Sequence, residues 1–420
     1  MDILVIGSGG REHALIANLV HNPNVGRLFA LPGNAGMAGE ATLVPIGTKD
    51  LEGVVQFAKQ EKIDLVVVGP DDPLVLGLVD LLEDKGIPCF GPNKDAAILE
   101  GSKVFSKDLM KRYGIPSATY DVFDKVEDAL FYAKTCPLPS VVKADGLALG
   151  KGVVIAQTRE TLVGAIRAMM VDKVFGPSGE RIVIEEFLTG IEVSVLTFTD
   201  GVSLRALPSS MDHKRAFDGD QGPNTGGMGA IAPNPYYTTE LQELCMQRIF
   251  LPTMDAMNKE GRTFKGCLYF GLMLTLDGPK VIEYNARFGD PELQAVLPLL
   301  ESDLLSILVA VSQQRLRDVE VEFSSQSSCC VVLASGGYPL CYVTGKSITL
   351  GKTEEGIMCL HAGTKFDDTT LVTNGGRVLN IVATAESLQQ AIEKAYRGVP
   401  SVQFDGMQYR KDIGKIALEA

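Results

Sequence analysis

Three stretches of this sequence place residue types together that could handle a polyphosphate. In "VIEYNARFGDPE", period-two alternation puts Glu283 and Asn285 on one side of an expected strand. A carboxylate and an amide oxygen at a strand end are hard ligands, suited to Mg²⁺ held against phosphate oxygens. Arg287 continues that face and could clamp a carboxylate or an acyl phosphate through a bidentate contact. Plain pairing of Arg287 with Glu283 is the structural alternative. In "IVIEEFLTGIEVSV", Glu185 and Glu186 end one strand and Glu192 opens the next. Backbone and carboxylates at such an edge can read an adenine amino group and chelate ribose hydroxyls; three surface glutamates on a hairpin are the alternative. In "VVKADGLALGKGVVIA", a strand ends in Lys143 and a glycine-bearing loop, residues 146–152, carries Lys151. A loop presenting cations and N–H groups suits a polyphosphate that must be covered and then released. It is not a Walker A loop, which needs G-x-x-x-x-G-K-[ST] before a helix.

A fourth stretch, "DILVIGSGGREHALIANL", has the strand, glycine turn and helix of a dinucleotide site. Two departures count against that ligand. Glu12 stands where the third fingerprint glycine belongs, and no acidic residue lies between Glu12 and Glu40 to hold ribose hydroxyls. What is left is the phosphate half of the device, backbone N–H groups of Gly9 and Gly10 at a helix N-terminus with the Arg11 cation. The glycines could also serve only a tight turn. Further on, "GPDDPL" reads as a proline-fixed turn offering Asp71 and Asp72 to a crevice, or as two turn-forming aspartates.

These groups need elements to hold them. Residues 1–102 alternate "ILVI", "RLFAL", "LVVVG" and "PCFG" with amphipathic segments, the pattern of a parallel α/β sheet with ligands at its strand ends. Residues 123–190 form a compact α/β unit. Residues 103–122 and 191–325 make a central unit with an antiparallel pair turned at Asp277 and Gly278 and a long helix at about 238–258. Residues 200–235 read as a long glycine-rich polar connection, of the kind that is usually functional. Residues 326–420 are β-rich, without a legible catalytic cluster.

Across 420 residues the formal net charge is −13, which argues against nucleic-acid or membrane-surface partners. No apolar run is long enough to span a bilayer. The sequence opens on a strand rather than a signal or transit peptide, and eight cysteines without a C-x-x-C read as small core residues. A cytoplasmic, reduced setting is expected.

The three phosphate-handling motifs, in this order, resemble the ATP-grasp superfamily of carboxylate–amine ligases. With "GSGGREHA", "PGNAG", "VVGPDDPL", "DHKRAFDGDQGPNTGGMGA", "NARFGDPE", "HAGT" and "NGGRVL", the sequence resembles, along its whole length, the glycinamide ribonucleotide synthetase (phosphoribosylamine–glycine ligase) family. The resemblance implies a Rossmann-like N-terminal domain, a two-part ATP-grasp core with a mobile lid at 123–190, and a C-terminal cap. It implies that ATP, glycine and 5-phosphoribosylamine react, through glycyl phosphate, in a step of purine biosynthesis. Unlike relatives fused to further purine enzymes, the chain is expected to act alone, with a monomer as one option that the sequence leaves open. By motif position it places Lys107, Lys143 and Lys151 at ATP phosphates. Glu185, Glu186, Phe187 and Leu188 would line adenine, Glu192 would take the ribose, and Lys214 and Asn224 would approach the nucleotide. Glu283 and Asn285 would hold Mg²⁺ or Mn²⁺. Asp212 would bind the glycine ammonium and Arg287 its carboxylate, with Lys214 beside them. Gly9, Gly10 and Arg11 would hold the 5-phosphate of the ribosyl amine, and Gly69, Pro70 and Asp71 would lie near its ribose. Two departures stand out: the family often has the longer Glu where Asp71 stands, and "CLYFGLMLTL" lacks the further metal-binding acid of many relatives. Rival readings are an ATP-grasp ligase for another amine or amino acid, a nucleotide-dependent oxidoreductase and a non-catalytic nucleotide sensor.

Overall fold

The computed structural model describes residues 1–148 and 152–419, so Lys151 lies outside the described residues. The first sheet is parallel, in the order β3-β2-β1-β4-β5, from β1 (Ile3–Gly7), β2 (Leu28–Pro32), β3 (Thr42–Leu43), β4 (Leu65–Val68) and β5 (Cys89–Phe90). Its central strands are apolar at consecutive positions because both faces are covered, and every residue of β1 is buried. Helix α1 (Gly10–Leu19) starts directly after β1, so the glycine turn sits at a strand's carboxyl end. The "GPDDPL" segment is not a turn. Pro70 caps a short helix, Asp71–Leu76, whose first turn tolerates Pro73 because no N–H is needed there. Asp72 leaves the crevice to pair with Lys49 at 2.7 Å.

The second unit is an antiparallel sheet, β6-β9-β7-β8, made from β6 (Tyr120–Phe123), β7 (Ser140–Ala144), β8 (Val153–Ala156) and β9 (Ile182–Glu186). Helices Val126–Tyr132 and Arg159–Met170 cover one face, and Ala129, Val142, Leu162, Ile166 and Ile184 form its core. The central sheet is also antiparallel, β11-β10-β16-β17, from β10 (Ile191–Thr199), β11 (Leu204–Ala206), β16 (Gly266–Thr275) and β17 (Gly278–Asn285). The long helix expected near 238–258 is α-helical at Thr239–Cys245 and Leu251–Lys259, with a π turn at Met246–Phe250 between.

The long polar connection is where the structure departs most from expectation. It contains β12 (Met211–Asp212), β13 (Arg215–Phe217), β14 (Gln221–Asn224) and β15 (Gly229–Ala232). Both β12 and β15 join the C-terminal sheet, where β15 pairs β18 (Ser327–Ser335) with Gly229 opposite Val331. Strands Arg377–Ala385 and Ile357–His361 complete that sheet. Division at residue 326 therefore separates partners that share one hydrogen-bonded sheet. The reason is chemical: β15 is "GAIA", too short and small to show alternation, yet its bareness lets it pack closely on β18. A Cβ on Gly229, where φ is +158°, would meet the Cys330 carbonyl at 2.6 Å.

His213 fastens this shared region. Its Nδ1 lies 3.3 Å from the Gly229 carbonyl, and its Nε2 accepts from the Gly414 N–H at 3.0 Å. A proton on Nε2 would face another N–H. Burial, with the Arg410 charge adding to it, lowers the His213 pKa to about 4. The folded state thus disfavours the protonated ring, so this contribution to stability is full above the unfolded pKa of about 6.5 and is lost as pH falls towards 4. The difference of roughly 2.5 pH units corresponds to about 3 kcal/mol. We predict that urea denaturation from pH 7 to pH 4.5 loses part of its pH dependence in His213→Gln, which keeps an acceptor for Gly414. Identical pH profiles for the two proteins would count against this role.

Candidate active site

Two buried ammonium groups meet one buried carboxylate between the β6–β9–β7–β8 sheet and the central sheet. Lys143 stands one residue before the end of β7 and shares a face with Glu185 on β9, since Val141 pairs with Glu185 and Lys143 with Val183. Lys107 comes from the preceding helix, Lys103–Tyr113. Its Nζ is 2.5 Å from Glu185 Oε2, and Lys143 Nζ is bonded to Glu185 Oε1. All three side chains are at most 5% exposed. Burial alone would raise the Glu185 pKa, but Lys143 and Lys107 outweigh it and hold the carboxyl below its usual range. Burial lowers the Lys107 pKa despite Glu185, because one carboxylate cannot neutralise two ammonium groups. The cluster therefore carries excess positive charge.

The β6–β9–β7–β8 sheet is tied to the central sheet at the same place. Between Gly271–Glu283 and Leu272–Val281 the β16–β17 register shifts by one residue, leaving Ile282 without a partner on β16. The carbonyl of Ile282 accepts from Lys143 Nζ at 3.1 Å. Beyond this bulge Glu283 and Asn285 resume alternation on one face, and Gly271 opposite supplies no side chain to crowd Glu283. Glu186 turns outward to Thr119 N at 3.1 Å and Lys280 at 3.5 Å. Half-buried Phe187 and Leu188 follow it into the turn before β10. Exposed Glu192, at the start of β10, pairs with Lys214 at 3.0 Å, and Glu283 stands 3.7 Å from the same ammonium. Against burial, Glu192 and Glu283 raise the Lys214 pKa. Asn224 is exposed and pairs with Arg215 in the β13–β14 hairpin.

Arg287 does not pair with Glu283. Its Nη2 is 3.0 Å from Glu100 Oε1 and donates to Asn285 Oδ1 at 3.2 Å, while its Nη1 donates to the Phe288 carbonyl. Its Nε is buried without a partner. Glu100, in the helix Lys94–Gly101, also accepts from Ala286 N at 2.7 Å, so it sets both the backbone and the guanidinium of this stretch. Asp212 Oδ1 is likewise buried without a partner. Burial and the nearby Glu292 carboxylate raise the Asp212 pKa well above its usual value. Among the described residues no group of three His, Cys, Asp or Glu side chains could cage a metal ion. Glu283 and Asn285 alone suit a hard divalent cation that keeps waters and takes most of its oxygens from a substrate.

The α1 turn holds acids of its own. Glu12 Oε2 accepts from Gly9 N at 2.6 Å, and its Oε1 binds Arg11 Nε at 2.6 Å. Arg11 also donates to the Phe288 carbonyl at 3.1 Å, and its N–H reaches Asp290 Oδ2 at 3.2 Å. Glu12 thus fills the place of the missing fingerprint glycine with a helix cap, and Gly69 leaves room for its carboxylate. Gly10 is buried against the Gln294 and Asn380 amides.

Three parts of the phosphoribosylglycinamide synthetase family match this chain in order: the N domain at residues 1–100, the ATP-grasp (A) domain at 101–293 and the C domain at 328–416. The chain belongs to that family. It is 46% identical to the phosphoribosylamine–glycine ligase of Clostridium acetobutylicum, over 99% of this chain and 100% of that protein. It is 48% identical to the bifunctional purine biosynthetic protein ADE1 of Schizosaccharomyces pombe, but spans only 53% of that longer protein. The structure of the Thermotoga maritima phosphoribosylamine–glycine ligase superposes with a TM-score of 0.84 at 35% identity, covering 98% of this chain and 100% of that one. A biotin carboxylase domain from Hydrogenobacter thermophilus, 18% identical with a TM-score of 0.75 and coverage of 97% and 91%, shares the fold.

Within this family framework, sequence reasoning passed over Glu100, Glu292, Asp290 and Arg377. "FGDPE" was in view, but nothing local says that Asp290 turns to α1 or that Glu292 lies near Asp212. The Lys107–Glu185–Lys143 cluster yields a direct test. Glu185→Gln leaves two buried ammonium groups without their carboxylate and should cost about 3–5 kcal/mol of stability. Chemical denaturation at pH 7 measures this, and an unshifted midpoint would rule the cluster out as a buried ion group.

Proposed function

We propose that this chain joins glycine to 5-phosphoribosylamine at the expense of ATP, giving glycinamide ribonucleotide, ADP and phosphate. The observation that carries the reading is the convergence of a lysine pair sharing one carboxylate, the Glu283–Asn285 face and the Arg287–Asp212 groups at one junction, in a chain of this family. Its pairing of an ammonium-seeking acid with a carboxylate-seeking guanidinium suits an amino acid rather than a nicotinamide.

In this reading a glycine carboxylate oxygen attacks the γ-phosphorus, the bond to the β-phosphate oxygen breaks, and ADP leaves. The ribosyl amine then attacks the carbonyl carbon of glycyl phosphate, loses a proton, and phosphate departs with the carbonyl–oxygen bond's electrons. Such chemistry needs positioning and charge neutralisation more than a protein nucleophile. Lys107 and Lys143 neutralise ATP phosphates, with Glu185 keeping both ammonium groups in place. Glu186, Phe187 and Leu188 line the base, Glu192 takes the ribose, and Lys214 and Asn224 approach the nucleotide. Lys151 belongs to the same assignment by motif alone. Arg287 orients the glycine carboxylate and Asp212 its ammonium. Glu283 and Asn285 would hold Mg²⁺ or Mn²⁺, which supplies charge neutralisation at the phosphate oxygens. Gly9, Gly10 and Arg11 take the ribosyl 5-phosphate, near Gly69, Pro70 and Asp71. No described helix is long and apolar enough to cross a membrane, and a cytoplasmic monomer suits the reading.

Phosphate release should require ATP, glycine and phosphoribosylamine together; release without glycine would overturn the proposed reaction. Glu283→Gln should keep its melting temperature while turnover falls roughly a hundred- to a thousandfold, the usual cost of removing a charge stabiliser from an active site. Near-normal turnover at ordinary magnesium would remove Glu283 from the metal site. Arg11→Ala should raise the KM for phosphoribosylamine by about ten- to a hundredfold, with ATP affinity unchanged. An unchanged KM would sink the phosphate assignment and leave Arg11 as a clip to Glu12 and Phe288.

A further inference from the structure

Besides Asn380 and His361, Arg377 of the C-terminal domain approaches the α1 turn, by way of Asp290. Arg377 begins the strand Arg377–Ala385, where the pairing with β18 slips: Leu333 faces Leu379 but Ala334 faces Arg377. A bulge of this kind re-aims a side chain. Arg377 Nη1 donates to the Gly226 carbonyl at 2.6 Å and the Asp290 carbonyl at 2.5 Å, and lies 3.2 Å from Asp290 Oδ1. The glycine at 226 lets the guanidinium lie close against the chain, since a Cβ there would meet Arg377 Cζ at 3.1 Å. Among the described residues, no protein acceptor is bonded to Arg377 Nε or Nη2, and the side chain is 22% exposed.

Asp290 connects this guanidinium to the helix end. Its Oδ2 accepts from Arg11 N at 3.2 Å, and its Oδ1 accepts from Gln294 Nε2 at 2.8 Å while facing Arg377. One protein carboxylate therefore spans a helix N-terminus and a guanidinium, the two groups that phosphate-binding sites commonly combine. The charges explain why a second cation is needed. Arg11 is already paired with Glu12, and Arg377 with Asp290, so the cluster is neutral as it stands. A phosphate dianion becomes favourable there if it takes the carboxylate's place between α1 and Arg377.

We propose that Arg377 is a second phosphate-binding cation for the ribosyl substrate, contributed by the C-terminal domain, and that Asp290 occupies its position until the phosphate displaces it. This rests on the reading of α1 as the phosphate end of the acceptor site. It makes the C-terminal domain part of the acceptor site, and it links phosphate arrival to the turn that carries Arg287 and Glu292.

The test uses the full chain and two stable probes, ribose 5-phosphate and ribose, with affinities measured by calorimetry and MgATP affinity and melting temperature as controls. Arg377→Gln should weaken ribose 5-phosphate about ten- to a hundredfold, the worth of one charge-assisted phosphate contact, and leave ribose and MgATP within about twofold. Arg377→Lys, which keeps the charge but loses the fork, should fall between. Asp290→Asn should act in the opposite direction and tighten ribose 5-phosphate several-fold, since it removes the competing anion. Equal losses for ribose 5-phosphate and ribose in Arg377→Gln, or weakening of ribose 5-phosphate in both the Arg377→Gln and Asp290→Asn proteins, would reduce the pair to an interdomain clip and overturn the proposal. Wild-type protein that binds ribose 5-phosphate no better than ribose would instead overturn the reading of α1 itself.

Discussion

Two lysines and one glutamate, closed off from water, set the electrostatic condition under which the site is built. An ammonium group buried without a partner is costly, and a single carboxylate answers only one of the pair Lys107 and Lys143. The surplus charge makes the junction receptive to an anion of high charge density. It also dictates neighbours. Lys143 takes a further acceptor from the Ile282 carbonyl, and that carbonyl is free only because β17 bulges there. The bulge that ties the β6–β9–β7–β8 sheet to the central sheet directly precedes the Glu283–Asn285 face. One local irregularity thus sets both the Lys143 contact and the start of the Glu283–Asn285 face.

Other charges are balanced in sets that cross domain boundaries. Arg287 is held by Glu100 from a helix that ends where the ATP-grasp domain begins, so its orientation depends on the N-terminal unit being docked. Against burial, Glu100 and Asp71 raise the Arg287 pKa, which keeps the guanidinium charged in a dry setting. Asp212 and Glu292 show the reverse case. Burial raises both, and the charge of Glu292 raises Asp212 further. Two acids held this way favour a cation between them, consistent with an ammonium-bearing substrate.

The C-terminal domain takes part in these sets rather than only covering them. Its sheet includes β12, which carries Asp212, and β15, both from the glycine-rich segment. The His361 N–H donates to His13 Nδ1 on α1 at 2.7 Å, and Asn34 Nδ2 reaches both the Ser8 and His361 carbonyls. Burial, with His13 beside it, lowers the His361 pKa to about 4, so the His361 ring itself is neutral near neutral pH. The α1 turn is therefore braced from the N-terminal, ATP-grasp and C-terminal domains together.

Local chemistry made a large part of this legible in the amino-acid sequence. Continuous apolar runs marked the parallel sheet, the glycine turn with Glu12 counted against a dinucleotide, and alternation after Ile282 put Glu283 and Asn285 on one face. These signals depend on neighbours within a few residues, which a single sequence displays directly. What it could not display were pairings across long chain separations. Glu185 was legible as a strand-end acid but not as the counter-ion of Lys107 and Lys143. Arg287 was legible as a clamp but not as the partner of Glu100. The short, small-residue strand "GAIA" had no period to betray that it belongs to a sheet formed a hundred residues later. Sequence patterning determined which elements form and which residue types stand at their ends; only tertiary packing decided which charges met, because a buried ion takes whatever partner the docked elements bring within reach.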